Sequence, residues 1–162
     1  MNLQDVKNRV AKALVESIFR RAQYEITPFT PGDIALWVGR EDFSPDFRVV
    51  RKSENGNHRE FLVEVKYQPA VTQYLSVENQ RGDRSVLLMA RRRWPNLYFV
   101  LVSERPEPGR SCFQGVNLQL HDAGPPFVSM GLADDRELKI VHQNVEDCEE
   151  LLRRIFTSLT EI

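Results

Sequence analysis

Residues 61–68, Phe-Leu-Val-Glu-Val-Lys-Tyr-Gln, constrain the fold more than any other stretch of the chain. Phe61, Val63, Val65 and Tyr67 alternate with Leu62, Glu64, Lys66 and Gln68, the period-two pattern of a half-buried strand. Alternation puts Glu64 and Lys66 on one face, roughly 7 Å apart along the strand. A strand this apolar belongs inside a sheet, where charges are costly unless something compensates them. Upstream, Ser44-Pro45-Asp46-Phe47 supplies a second carboxylate where a neighbouring strand should begin. Two acids and a lysine converging there would suit a magnesium and phosphate site.

The 162 residues are read as one domain, 1–162, long enough to bury a core. Lys plus Arg number 22 against 23 Asp plus Glu. That balance removes a strongly basic surface as an argument for nucleic-acid binding and leaves only local patches. Cys112 and Cys148 stand far apart with no CxxC or Cys/His spacing, which argues against zinc. The N-terminus begins as a charged amphipathic helix, and no run approaches the roughly 18 apolar residues of a membrane span. The expectation is a soluble, cytoplasmic protein with no membrane partner.

Periodicity places the remaining elements. Val6, Val10, Leu14, Ile18 and Ala22 repeat every four residues, so 3–22 is a predicted helix, ended by turn residues in Thr27-Pro28-Phe29-Thr30-Pro31-Gly32. Ile34–Arg40 is the first predicted strand, with Trp37 read as core. Asp46–Lys52 and Arg59–Gln68 form a hairpin about Asn55-Gly56. A short helix is expected around Val71–Glu78, then one capped by Asp83 and closed by Arg91, Arg92 and Arg93 before Pro95. Leu97–Val102 is a continuous apolar run, which suits a strand buried on both faces and parallel to its neighbour. Residues 104–136 are rich in Gly and Pro and have no clear placement, with short strands near Val116–Leu120 and Phe127–Met130. Leu138–Val141 reads as an edge strand, followed by a final helix capped by Asn144.

The hairpin register decides where the charges meet. A two-residue Asn55-Gly56 loop sets Phe47 opposite Glu64, an apolar group against a charge. A longer loop sets Phe47 opposite Val65, Val49 opposite Val63, Asp46 opposite Lys66 and Arg48 opposite Glu64. Matching the apolar faces favours the second register, because a slip of one residue would invert a whole strand.

The order helix, three antiparallel strands, helix, parallel strand, helix, with Pro45-Asp46 and then Glu64-Val65-Lys66, resembles the PD-(D/E)XK nuclease superfamily over about residues 3–102. The resemblance implies an α/β fold with a restriction-endonuclease-like core, a mixed central sheet flanked by helices in the order α-β-β-β-α-β. It implies a Mg²⁺- or Mn²⁺-dependent DNA endonuclease in which Asp46, Glu64 and Lys66 are catalytic. Asp46 and Glu64 would hold the metal with the Val65 carbonyl as a third contact, and Lys66 would sit near the attacking water or scissile phosphate. Branched or damaged DNA and a homodimeric assembly follow from the same resemblance.

One position departs from the pattern. Relatives often carry a further glutamate on the first helix, and counting back from Tyr24 reaches Lys12 instead. Glu16, one turn later, and Gln68, on the Glu64/Lys66 face, are accessory candidates. Arg91, Arg92, Arg93 and Arg48 are the candidate nucleic-acid contacts, although a basic last turn also complements a helix dipole. The alternative is an ordinary cross-strand salt cluster of Asp46, Glu64, Lys66 and Arg48. The chain would then be a non-catalytic nuclease-fold module binding nucleic acid or protein. His58, His121 and His142 have no metal-ligand spacing.

Overall fold

The first helix, α1 (Leu3–Arg21), is fixed at both ends by its own residues. At its start the Asp5 N–H donates to Asn2 Oδ1 at 2.8 Å and the Asn2 N–H donates back to the Asp5 carboxylate, a capping box. At its end Gln23 takes the left-handed conformation, φ 71°. The Tyr24 N–H then donates to the Phe19 carbonyl and the Gln23 N–H to the Arg20 carbonyl. The Phe19 and Tyr24 rings meet edge-on, centroids 5.2 Å apart. This is a Schellman closure with its hydrophobic contact, and it turns the chain directly into β1 (Glu25–Pro28). A strand therefore stands where Thr27-Pro28 read as a turn.

The computed structural model describes residues 2–29, 36–38, 41–53, 55–117 and 126–160. Its fold is α/β, a six-stranded mixed sheet flanked by helices. Spatially β1 lies beside β4 (Phe47–Lys52), then come β5 (His58–Tyr67), β6 (Leu97–Val102), β7 (Phe113–Asn117) and β8 (Met130–Gly131). Neighbours are antiparallel except β5 and β6, which are parallel and joined through α2 (Val71–Arg81) and α3 (Val86–Arg93). All six residues of β6 are buried, as its continuous apolar run requires. β2 (Leu36–Val38) and β3 (Glu41–Phe43) form a separate two-stranded sheet, so the described part of the first strand expected at Ile34–Arg40, Leu36–Val38, is not part of the main one. The Trp37 side chain, the turn at 30–32 and His121 lie outside the described residues.

The sheet has a core on each face. Phe47, Val49, Phe61, Val63, Val65 and Tyr67 pack with Tyr98 and Val100 under α1 and the last helix, α4 (His142–Thr160). Leu62, Leu97, Phe99 and Leu101 pack on the other face with Leu75 of α2 and Leu87 of α3. Each large apolar side chain fully buried this way contributes roughly 1.5–3 kcal/mol. Leu138–Val141 contains a turn rather than an edge strand, and α4 starts at His142, two residues before the expected Asn144 cap. Among the described residues no helix is long and apolar enough to cross a membrane.

The hairpin register differs from the expected one by two residues. Phe47 pairs with Val63 and Val49 with Phe61. The connection is closed by the Ser53 N–H on the Asn57 carbonyl, 2.8 Å, and the Gly56 N–H on the Ser53 carbonyl, 3.0 Å. Because side chains alternate, a two-residue shift keeps every residue on its face, so matching apolar faces does not distinguish the two pairings. The charges are what change. One step beyond the Phe47–Val63 pair, the Asp46 N–H donates to the Val63 carbonyl at 2.8 Å, so Asp46 does not pair with Lys66. Arg48 lies opposite Leu62 and is ion-paired with Glu60, not Glu64.

Candidate functional site

β5 outlasts its partner. The β4 ladder stops at Phe47–Val63, while β5 runs on to Tyr67. The Leu62 N–H points to the β6 side, where it donates to the Asn96 carbonyl, and the Gln68 N–H donates to Val102 on that side too. Main-chain groups of the intervening odd residues therefore point to the edge that β4 no longer covers. Side chains take the place of the missing strand. The Val65 N–H donates to Asp46 Oδ2 at 2.7 Å, and the Tyr67 N–H donates to Asn8 Oδ1 of α1 at 2.9 Å. Within a strand the N–H and C=O of one residue point the same way, so the Val65 carbonyl opens onto the same edge as its N–H.

Asp46 is held from two sides. Its second oxygen, Oδ1, lies 2.7 Å from the Lys12 ammonium of α1. The aspartate side chain is 13% exposed and the lysine 46%. Burial pushes the Asp46 carboxyl above its ordinary range, against the opposing pull of the Lys12 ammonium and the Val65 N–H. Glu64 and Lys66 are half-buried and alternate with Leu62, which packs under α2 and α3. The Asp46 carboxylate lies along the backbone edge of β5, where it meets the Val65 N–H and Lys12 of α1, while Glu64, alternating with the buried Val63 and Val65, leaves the strand on the Leu62 face. The Asp46 N–H donates to the Val63 carbonyl at 2.8 Å while its carboxylate accepts from the Val65 N–H, so Asp46 is bonded to the main chain on both sides of Glu64.

No protein-family model, curated protein or solved structure matches the chain. The chemistry of the site is accordingly read from its own donors. Asp46, Glu64 and the Val65 carbonyl offer only oxygen, the hard ligand that magnesium takes through one or two carboxylates while keeping several waters. This donor set fits Mg²⁺ or Mn²⁺. Among the described residues no group of three or more His, Cys, Asp or Glu is placed to hold a metal, so a histidine- or cysteine-rich centre has no counterpart there.

The other candidates separate. Glu16 accepts from Arg20 at 2.6 Å and 3.2 Å, an exposed pair one helical turn apart, and is engaged there rather than with Asp46. Gln68 is half-buried and continues the Glu64/Lys66 alternation. Arg91, Arg92 and Arg93 close α3 just before β6, with Arg93 stacked 5.7 Å from the Trp94 ring. β6 begins at Leu97, level with Leu62, whereas Lys66 is level with Leu101, about 13 Å further along. The arginine triplet thus borders the opposite end of β6 from Lys66.

Three residues around the site had no sequence signal of their own. Asn8 caps the Tyr67 N–H. Beside it the Tyr67 hydroxyl donates to Glu104 at 2.8 Å, and Lys7 lies 3.4 Å from both and 5.1 Å above the Tyr67 and Phe156 rings. Burial, then the Glu104 carboxylate, pushes the Tyr67 hydroxyl well above its ordinary value. Asn8 and Lys12 are four residues apart, one turn of α1, which is how one helix serves two successive odd positions of β5.

Proposed function

We propose that the chain is a restriction-endonuclease-like domain of the PD-(D/E)XK type, a cytoplasmic enzyme that hydrolyses phosphodiester bonds in DNA with Mg²⁺ or Mn²⁺. The observation that carries this reading is Asp46 bonded to the main chain of Val63 and Val65, the residues on either side of Glu64, where β5 runs on past β4. Asp46, Glu64 and that carbonyl would hold the metal, which when bound supplies an activated water and neutralises charge on the phosphate. Lys66, two residues beyond Glu64, would bring a mobile point charge to the scissile phosphate or handle the proton of the attacking water. Two buried free thiols, Cys112 and Cys148, accord with a reducing compartment.

The test is nicking of supercoiled plasmid and of branched duplexes with Mg²⁺ or Mn²⁺. The native protein should cut, and Lys66→Ala should cut about 10²–10⁴-fold more slowly, the usual size of a proton-transfer contribution. No metal-dependent cutting by the native protein overturns the proposal.

One observation favours a second reading. The Lys12 ammonium at 2.7 Å already neutralises Asp46, as it would in a non-catalytic module that keeps the scaffold to bind nucleic acid or protein. Metal-independent DNA retention without cutting in the same assay would support that reading.

A further inference from the structure

We infer that Lys12 is a built-in cation for Asp46, an ammonium on the first helix that occupies the carboxylate oxygen a divalent ion needs and must leave before that ion binds. The inference rests on reading Asp46 and Glu64 as a cation site, and goes beyond it by naming what holds the site closed.

The two oxygens of Asp46 are held by different kinds of donor. Oδ2 takes the Val65 main-chain N–H, which belongs to a buried central strand and cannot withdraw. Oδ1 takes the tip of a lysine whose side chain is 46% exposed. The backbone beneath that lysine is fixed, because its neighbours Ala11 and Val15 are fully buried and Leu14 nearly so. Only the four-carbon stem of Lys12 is left to move, and lysine stems are flexible. Magnesium binds oxygen at about 2.0–2.1 Å, so an ion on Oδ1 would lie only about 4 Å from the ammonium at its present distance, two like charges repelling each other in a half-buried site. The two compete for the carboxylate. The apparent affinity for a divalent ion is then the intrinsic affinity reduced by the fraction of molecules in which the lysine has swung away.

The pair also explains how an aspartate side chain only 13% exposed is accommodated beneath α1. A carboxylate withdrawn from water requires either a proton or a cation, and α1 carries the cation with it.

The test is calorimetric titration of the full chain with Mn²⁺, comparing native protein with Lys12→Met, which keeps the stem and removes the charge, and Lys12→Arg, which keeps the charge. Thermal midpoints are read for each protein with and without the ion. Lys12→Met should bind Mn²⁺ about tenfold more tightly or better, should melt lower without metal, and should gain more from saturating Mn²⁺ than the native chain. Lys12→Arg should bind no more tightly than native protein. Binding by Lys12→Met alone would support the inference in its strongest form. Equal affinity of native and Lys12→Met proteins would overturn it while leaving the cation site standing. Binding by none of the three would remove the site and the inference together.

Discussion

Glu78 and Asp46 are both carboxylates withdrawn from water, and the molecule satisfies them by different means. Glu78, on α2, is 2% exposed. One of its oxygens accepts the Val86 N–H at 2.7 Å, the Leu87 N–H at 3.3 Å and the Ser85 hydroxyl at 3.2 Å, while the other accepts from Arg81 at 3.0 Å. It therefore caps α3 from the preceding helix, and the dipole of that helix favours the negative charge. Its donors lie within a few residues of one another, two of them main-chain groups that cannot leave. Asp46 has one such donor, Val65, and one mobile one, Lys12. The difference separates a closed carboxylate that holds two helices together from one whose second partner can be exchanged.

Two substitutions would break or sharpen that contrast. The larger effect belongs to Glu78→Ala, which strips two buried N–H groups of their acceptor and removes the cap of α3. Urea unfolding should show a loss of about 3 kcal/mol, combining a lost helix cap with unsatisfied buried donors. A loss under about 1 kcal/mol would mean that the cap is dispensable and the contrast misplaced. Asp46→Asn should cost about 1 kcal/mol or less by the same measurement. The amide oxygen can still accept the Val65 N–H, and an ion pair with a half-exposed lysine contributes little. A cost rivalling that of Glu78→Ala would make Asp46 a structural residue and remove the reason to regard it as a site.

Much of the architecture is legible in the chain because burial imposes a period. The alternation through Phe61–Tyr67 and the unbroken run Leu97–Val102 state which strand is half-buried and which is buried on both faces. What the chain conceals has definite causes. β1 is hidden because α1 closes on Gln23 in a left-handed conformation, where the usual sign of a helix end is glycine. The hairpin register is ambiguous by two because a shift of two leaves every side chain on the face it already had. Asp83 reads as a cap of α3, whereas Ser85 takes that position, with its Oγ accepting from the Leu88 N–H, and Glu78 adds a second cap from another helix. The acids Asp46 and Glu64 stand out by residue type and spacing, and Lys12 as a departure. The Lys12–Asp46 bond depends on strand pairing and on how α1 lies across the sheet, neither of which the local sequence states.

The central claim is that Asp46 and Glu64 share one cation where β5 runs on past β4. Anomalous scattering from crystals of the chain soaked in Mn²⁺ tests it most directly. The account predicts one peak between the two carboxylates, about 2.0–2.2 Å from an oxygen of each and facing the Val65 carbonyl, with the Lys12 ammonium moved off Asp46. A saturated soak with no peak there, and with Lys12 still bonded to Asp46, would contradict it.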